Sequence, residues 1–279
     1  MDLMLLQGGL GNQLFQWAFS LNQKTTGNRD LKYSRLLLDL RLPQITKREY
    51  CLKDLIPAEK FESKLKSGLK LMQSKTGNKF QIMREINKTN SQNKDKSLIY
   101  IGFFQELSTV DNVKTQILES FNESSHFKNC LTEAQDKFIA IHVRKGDYSG
   151  HSKTREFHGL TSNKFYIDSA LQLRDQTEVE KIRLFSDSQK DNDELVNDLR
   201  SKNFKVENLD SSEFLDFQGI CQASAVVMSN SSFSWWGSYI ADHLRKAPVI
   251  YPTPWFKDES MDPDNLFPKH WIPKVRSVE

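Results

Sequence analysis

The sharpest chemical feature of the chain is a hydrophobic run that ends abruptly in charge. In IHVRKGDY the apolar residues stop at Val143, and Arg144, Lys145, Asp147 and Tyr148 follow, with His142 just inside the run. Side chains alternate along an extended strand, so His142 and Arg144 project to one side while Val143 packs on the other. A guanidinium at a strand's carboxyl end suits bidentate binding of phosphate, where a charge-assisted bond contributes about 1.5–3 kcal/mol. Asp147 is placed to orient Arg144 or Lys145, or to act on substrate itself. His151 and His158 come soon after, without the spacing of a metal site.

Two further segments have the composition of anion-binding turns. GGLGNQ puts Gly8, Gly9 and Gly11 before an apolar-periodic run, with Gln7, Asn12 and Gln13 crowding polar amides around them. Glycines allow a sharp turn whose N–H groups lie beside a helix N-terminus, where an anion is favoured. The rival is a dinucleotide fingerprint, but Leu14 stands where its third glycine belongs and only Asp39 loosely meets its acidic position. SNSSFSWWG offers Ser229, Asn230, Ser231, Ser232 and Ser234, more hydroxyls and amides than a single helix cap needs. Trp235 and Trp236 are read as core of the following helix, not as a sugar platform. Asp191-Asn192-Asp193 matches a D-x-D cation pattern, yet it opens a charged helix where acids favour the dipole, so no metal site is assigned.

These motifs need elements to hold them. Met1–Leu6 is expected as a strand, followed by a helix with Gly27 as its stop, and Lys32–Leu40 as a second strand region ending in LLLDL. Asp54–Phe80 reads as basic surface helix, and Arg84–Ser97 as exposed polar loop. SLIYIGFFQ restarts a strand at Ser97. Beyond Cys130 strands and helices alternate: KFIAIHV, a helix capped by Ser162, IRLFSD, DNDELVNDLRSK, NFKVEN, EFLDFQGICQAS, AVVMS, SFSWWGSYIADHLRK and a last strand APVIYP. Strands separated by single helices imply parallel βαβ units, an α/β class. The expected organisation is two Rossmann-like domains facing a cleft, 1–130 and 131–279. Ligands in such sheets sit beyond the carboxyl ends of the strands. GGLGNQ, RKGDY, SDSQ with Asp187, and SNSSF all follow strands.

Composition removes several function classes. With 279 residues the chain is one large domain or two smaller ones at roughly 150 residues each. Its 39 basic against 36 acidic side chains leave a charge of +3, no footprint of a nucleic-acid binder. Cys51, Cys130 and Cys221 are few and far apart, as expected of reduced thiols in a reducing compartment. No apolar stretch approaches the ~20 residues of a membrane span, and the N-terminus lacks the form of a signal peptide. The expected location is the cytoplasm, with at most peripheral contact with the inner membrane.

Taken together and in order, GGLGNQLFQWAF, IGFFQ, HVRKGDY, LFSDS and SNSSFSWWG followed by PVIYP resemble the α-1,2-fucosyltransferases of glycosyltransferase family 11, particularly their short bacterial members. The resemblance runs from Gln7 to Trp255 and fails between Asp54 and Ser97. It implies a GT-B fold, GDP-β-L-fucose as donor, the 2-hydroxyl of a β-galactoside glycan as acceptor, inversion at the anomeric carbon, and neither cofactor nor metal. It implies that Arg144 partners the donor pyrophosphate and that His142 contacts the nucleotide or fixes the site. Lys145 stands where the family has a second arginine, keeping the charge but not the planar fork. Asn12, with Gly9, Gly11 and Gln13, matches the loop that lies beside fucose and phosphate in the related protein O-fucosyltransferases. Ser231, Ser232 and Phe233, with Ser229 and Asn230, match the segment that holds GDP. Asp216 matches the acid that reads the guanine edge, and Asp187 falls on the donor side. Asp147 and His158 are the candidates for the base that deprotonates the acceptor. A transferase using another GDP-sugar and a non-catalytic GDP-binding module are the alternatives.

Overall fold

The computed structural model of the chain describes residues 1–39, 48–75, 80–84, 96–144, 161–188, 190–209, 211–256 and 265–276. They form two compact units, Met1–His126 and Phe127–Glu279. The division falls after His126 and not after residue 130, because Phe127 and Cys130 are buried and Phe127 packs edge-on against Phe214 and Phe217 of the second unit.

The first unit has a parallel four-stranded sheet in the order β2-β1-β4-β3, built from β1 (Asp2–Leu5), β2 (Leu31–Ser34), β3 (Phe80–Arg84) and β4 (Ser97–Ile101). Leu3, Met4, Leu5 and Leu6 are wholly buried, as a central strand covered on both faces requires. The helix Leu10–Gly27 follows β1, and its stop is Asn28 in the left-handed region, φ 48°, one residue beyond the expected Gly27. The expected strand through LLLDL ends at Ser34. There the Ser34 hydroxyl accepts the Leu36 N–H at 3.2 Å and turns Leu36–Asp39 into a helical turn. Strand β3, unforeseen in the sequence, pairs with β4 at the sheet edge. The rest of the polar stretch, 85–95, lies outside the described residues.

The second unit has a parallel six-stranded sheet, β10-β9-β8-β5-β6-β7. Its strands are β5 (Ile139–Val143), β6 (Lys181–Ser186), β7 (Lys205–Asn208), β8 (Ala225–Val227), β9 (Val249–Thr253) and β10 (Ile272–Val275). Strand β10 was missed because Pro273 cannot donate to a ladder. It is tolerated here at the edge, where Ile272 pairs with Ile250. One face of β5 (Ile139, Ile141 and Val143) joins a core with Phe165, Ala170 and Leu173 of the helix Asn163–Thr177 and Leu195 and Leu199 of the helix Asp193–Ser201. Ser162 occupies the N-cap position of Asn163–Thr177 without the expected side-chain cap bond, whereas Ser212 does cap Glu213–Cys221.

Candidate functional site

Each sheet has a point where its connections change direction. In the second unit the chain leaves β5 toward β6 and β7, then returns to β8 on the other side of β5 and continues to β9 and β10. Loops leaving β5 and β8 therefore diverge, opening the crevice in which ligands of open α/β sheets bind. Arg144 directly follows β5, and Ser229–Ser231 follow β8.

The structure brings these motifs into contact. His142 lies on the β5 face opposite Val143, 7% exposed, its ring 5.2 Å from that of Phe233. Its Nδ1 is 2.7 Å from the Ser229 hydroxyl. Burial, reinforced by the Arg144 cation, drives its pKa down to about 3, so the imidazole is neutral at physiological pH. Arg144 Nη1 donates to the Ser231 hydroxyl at 3.3 Å. That hydroxyl also accepts the Phe233 N–H and so caps the helix Ser232–Arg245. Ser234, buried within the turn, donates to the Ser229 carbonyl at 3.0 Å. Capping thus accounts for Ser231, while Ser232 and Phe233 sit half-buried in the first turn.

A helix N-terminus carries partial positive charge, and an arginine placed against it is unfavourable unless an anion joins them. The first turn of Ser232–Arg245 contains no acid. A guanidinium beside such a helix start is an arrangement suited to an anion.

The remaining donor-side residues divide. Asn230 is buried and donates to the Trp255 carbonyl at 3.4 Å, tying down the chain after β9. Asp216, 8% exposed, accepts from Ser211. It precedes Phe217, whose ring packs 5.5 Å from Phe233. Asp187 follows β6 and is exposed, one strand over from Arg144, since Val143 pairs with Ser186. Trp235 and Trp236 are wholly buried, and Trp235 donates to the Leu266 carbonyl. Asp191 accepts from Ser188, and Asp193 begins a helix, as the dipole reading expected. Among the described residues no three His, Cys, Asp or Glu gather as a metal set. Lys145, Asp147, His151 and His158 lie outside the described residues.

In the first unit the reversal lies between β1 and β4. The helix begins at Leu10, so Gly11, Asn12 and Gln13 belong to its first turn and not to the loop before it. Gly9 is the cap residue and supplies no side chain. Gly8 has φ +79°, and a Cβ there would come within 2.5 Å of Asn12 Nδ2, so only glycine fits. Gln13 is wholly buried: its amide donates to the Gly8 and Glu49 carbonyls at 2.9 and 2.7 Å and accepts the Cys51 N–H at 3.0 Å. The bonding atoms of Gln13, expected to face the donor, thus build the loop. Leu14, at the would-be third glycine of a dinucleotide fingerprint, is core.

Two residues of this corner escaped the sequence reading. Gln16, buried without exposure, accepts from the Gln7 N–H and donates to the Gly102 carbonyl at 2.8 Å, joining the loops after β1 and β4. Gln105 Nε2 donates to Asn12 Oδ1 at 2.8 Å. Gln105 is aimed by Phe104, which adopts φ +55° and is buried against Phe19, ring centroids 4.2 Å apart. IGFFQ had signalled Gln105 as part of a motif without suggesting a role.

The Glycosyl transferase family 11 model matches residues 52–274, well over half the chain. The chain belongs to glycosyltransferase family 11. It is thus a glycosyltransferase, and the arginine and serine loops above lie within the matched family 11 region. An Escherichia coli alpha-1,2-colitosyltransferase is 26% identical over 96% of this chain and 96% of that protein. The E. coli O-antigen biosynthesis glycosyltransferase WbnK is 24% identical over 56% of this chain and 54% of the relative. Among solved structures, a mutant of Arabidopsis thaliana FUT1 in complex with GDP aligns with 96% of this family 11 chain and 74% of its own, at 10% identity and a TM-score of 0.48.

Proposed function

We propose that the chain transfers L-fucose from GDP-β-L-fucose to the 2-hydroxyl of a terminal β-galactoside in a surface glycan, with inversion and without a metal. The observation that carries this reading is Arg144 set against the capped start of Ser232–Arg245 at the β5/β8 reversal. Breaking the sugar–phosphate bond puts negative charge on a diphosphate leaving group while positive charge grows on the sugar ring. Arg144, the N–H groups opening Ser232–Arg245 and the Ser232 hydroxyl are the groups proposed to hold that diphosphate. Preorganised donors aimed at developing charge act without reorganising in the transition state. A neutral His142, hydrogen-bonded to Ser229, holds this wall without adding a titrating charge. Asp216 is the proposed guanine reader, Asp187 and Lys145 are proposed donor contacts, and Gly9, Gly11 and Asn12 are proposed to face the sugar and phosphate. Asp147 remains the proposed base for the acceptor hydroxyl, with His158 as its rival.

The colitosyltransferase relative supports a second reading, in which the donor is GDP-colitose. Colitose is fucose without its 3-hydroxyl. A pocket that hydrogen-bonds that hydroxyl rejects the deoxy sugar by about 10⁴–10⁵, whereas an apolar lining separates the two only weakly. GDP release measured in EDTA with each donor, with and without lactose or N-acetyllactosamine, tests both, with product linkage assigned by NMR. The expected result is acceptor-dependent release from GDP-fucose and an α-1,2 product. Release from GDP-colitose alone replaces the donor and keeps the site. Tight GDP binding with no release from either donor identifies a binding module. Release that depends on added Mn²⁺ overturns the metal-free mechanism.

A further inference from the structure

The helix Lys64–Lys75, KLKSGLKLMQSK, is buried along one side only. Leu71 packs against the Leu3, Leu5 and Ile99 cluster of the first sheet, and Ser67 is wholly buried. Leu65, Leu69 and Met72 point away from that cluster, 76%, 50% and 69% exposed. Their i, i+4, i+7 spacing puts them in one stripe. The other large apolar side chains exposed among the described residues, Met1, Leu215, Leu244 and Val275, stand singly on separate parts of the chain. Isolated exposed apolar residues are ordinary, whereas a stripe marks an interaction surface.

Charge identifies the partner. The helix contains Lys64, Lys66, Lys70 and Lys75 and no acid. Lys66 flanks the stripe and is exposed. Lys64, on the other flank, meets Asp39 at 2.5 Å, and Lys70 meets Glu62 at 2.7 Å, both from neighbouring segments. Over residues 64–96 nine Lys and Arg face two Asp and Glu, a net of +7. The whole chain carries only +3, so the remainder is net −4 and the excess positive charge is concentrated in this stretch of the sequence. A second copy presenting the same stripe would meet like charge. An anionic bilayer offers an apolar interior to the leucines and methionine and negative headgroups to the lysines, the combination an interfacial helix requires.

We propose that the exposed face of Lys64–Lys75 docks the protein on an anionic phospholipid surface, reversibly and without spanning it. No helix among the described residues is long and apolar enough to cross a membrane. The inference rests on the surface of the first unit and stands whichever donor the transfer site takes.

The test is flotation of the purified chain with phosphatidylcholine vesicles, with and without phosphatidylglycerol, at low and high salt. The protein is expected to float with phosphatidylglycerol vesicles and to be released by salt. The triple variant Leu65→Ser/Leu69→Ser/Met72→Ser is expected to lose about tenfold or more in partitioning, since each buried apolar side chain contributes independently. Its thermal midpoint should match wild type, because all three side chains are exposed. Lys66→Glu should weaken binding in the same direction, and Leu244→Ser, on an isolated exposed leucine elsewhere, should float as wild type. Equal flotation with uncharged vesicles, undiminished flotation of the folded triple variant, or no flotation at all overturns the proposal. So does a wild-type dimer in sedimentation velocity that the triple variant abolishes, for then the stripe binds its own copy.

Discussion

The two sheets face the same geometric problem, two loops diverging from neighbouring strands, and furnish it with different chemistry. Between β1 and β4 the side chains doing the bonding are neutral amides: Gln13, Gln16, Gln105 and Asn12. Between β5 and β8 they are a guanidinium, a neutral imidazole and serine hydroxyls. Gln13 and Gln16 are consumed in holding the loops of the first reversal together. The second adds a formal cation to a helix N-terminus, an arrangement that suits an anion and where the proposed function puts the diphosphate. On the proposed function, electrostatic work falls to the second unit and shape work to the first.

The largest expected effect tests that division. Arg144→Ala should lower turnover in the GDP-release assay by about 10²–10³, or ~2.7–4 kcal/mol of barrier, the scale of losing one preorganised donor to developing charge. Its denaturation midpoint should stay near wild type, since Arg144 lies at the end of a strand and not within its core. Arg144→Lys keeps the charge without the fork and should fall between the two. Near wild-type turnover in a folded Arg144→Ala protein would remove the electrostatic role from this unit.

Much of this architecture was legible in the sequence, for reasons particular residues make plain. Central strands such as β1 and β5 are buried on both faces and read as continuous apolar runs, so their existence and the parallel class followed. The strands that escaped, β3 and β10, lie at sheet edges, where partial exposure and Pro273 blur the pattern. LLLDL reads as strand, yet a single hydroxyl, Ser34, ends the strand and starts a turn. Arg144, His142 and the serine loop stood out in the sequence because polar groups cluster abruptly at the ends of apolar strands, and the structure brings them into contact. Gln16 and Gln105 did not stand out, because an amide on a helix or in a loop looks alike whether it faces solvent or ties segments together. The loop-building bonds of Gln13 were hidden for the same reason, since its partners Glu49 and Cys51 are distant in sequence.

A smaller effect sharpens the contrast through pH. His142 has a folded pKa of about 3 against ~6.5 when unfolded. Above ~6.5 both states are neutral and the residue contributes nothing to pH dependence. As pH falls from ~6.5 toward 3, the unfolded chain takes up a proton that the folded protein refuses, so stability declines with a slope approaching one proton. Asp54 acts in a separate window. His126 and Ser125 hold its carboxyl down to about 2, so its stabilising contribution is present above ~4 and disappears as pH falls toward 2. Denaturant midpoints measured from pH 8 to 4 should show a shallower decline in His142→Asn than in wild type. An unchanged slope would mean that the imidazole protonates in place, and the site's wall would then be charged.

The smallest effect concerns the amide corner. Gln105 reaches Asn12 at 2.8 Å, joining the first turn after β1 to the segment after β4. A neutral hydrogen bond of this kind is worth about 1 kcal/mol net, roughly fivefold in rate if its whole loss falls on the transition state. Asn12→Ala should therefore reduce turnover by about that factor, and Gln105→Ala by a similar or smaller one. If Gln105 acts by orienting Asn12, the double variant should be no worse than Asn12→Ala, because neighbours in one network do not add. Additive losses would instead give each amide its own contact with substrate. A hundredfold loss in Asn12→Ala would go further and erase the contrast itself. An uncharged amide matching Arg144 in effect would have to face the charge that develops between sugar and phosphate, and the first unit would then share the electrostatic work now assigned to the second.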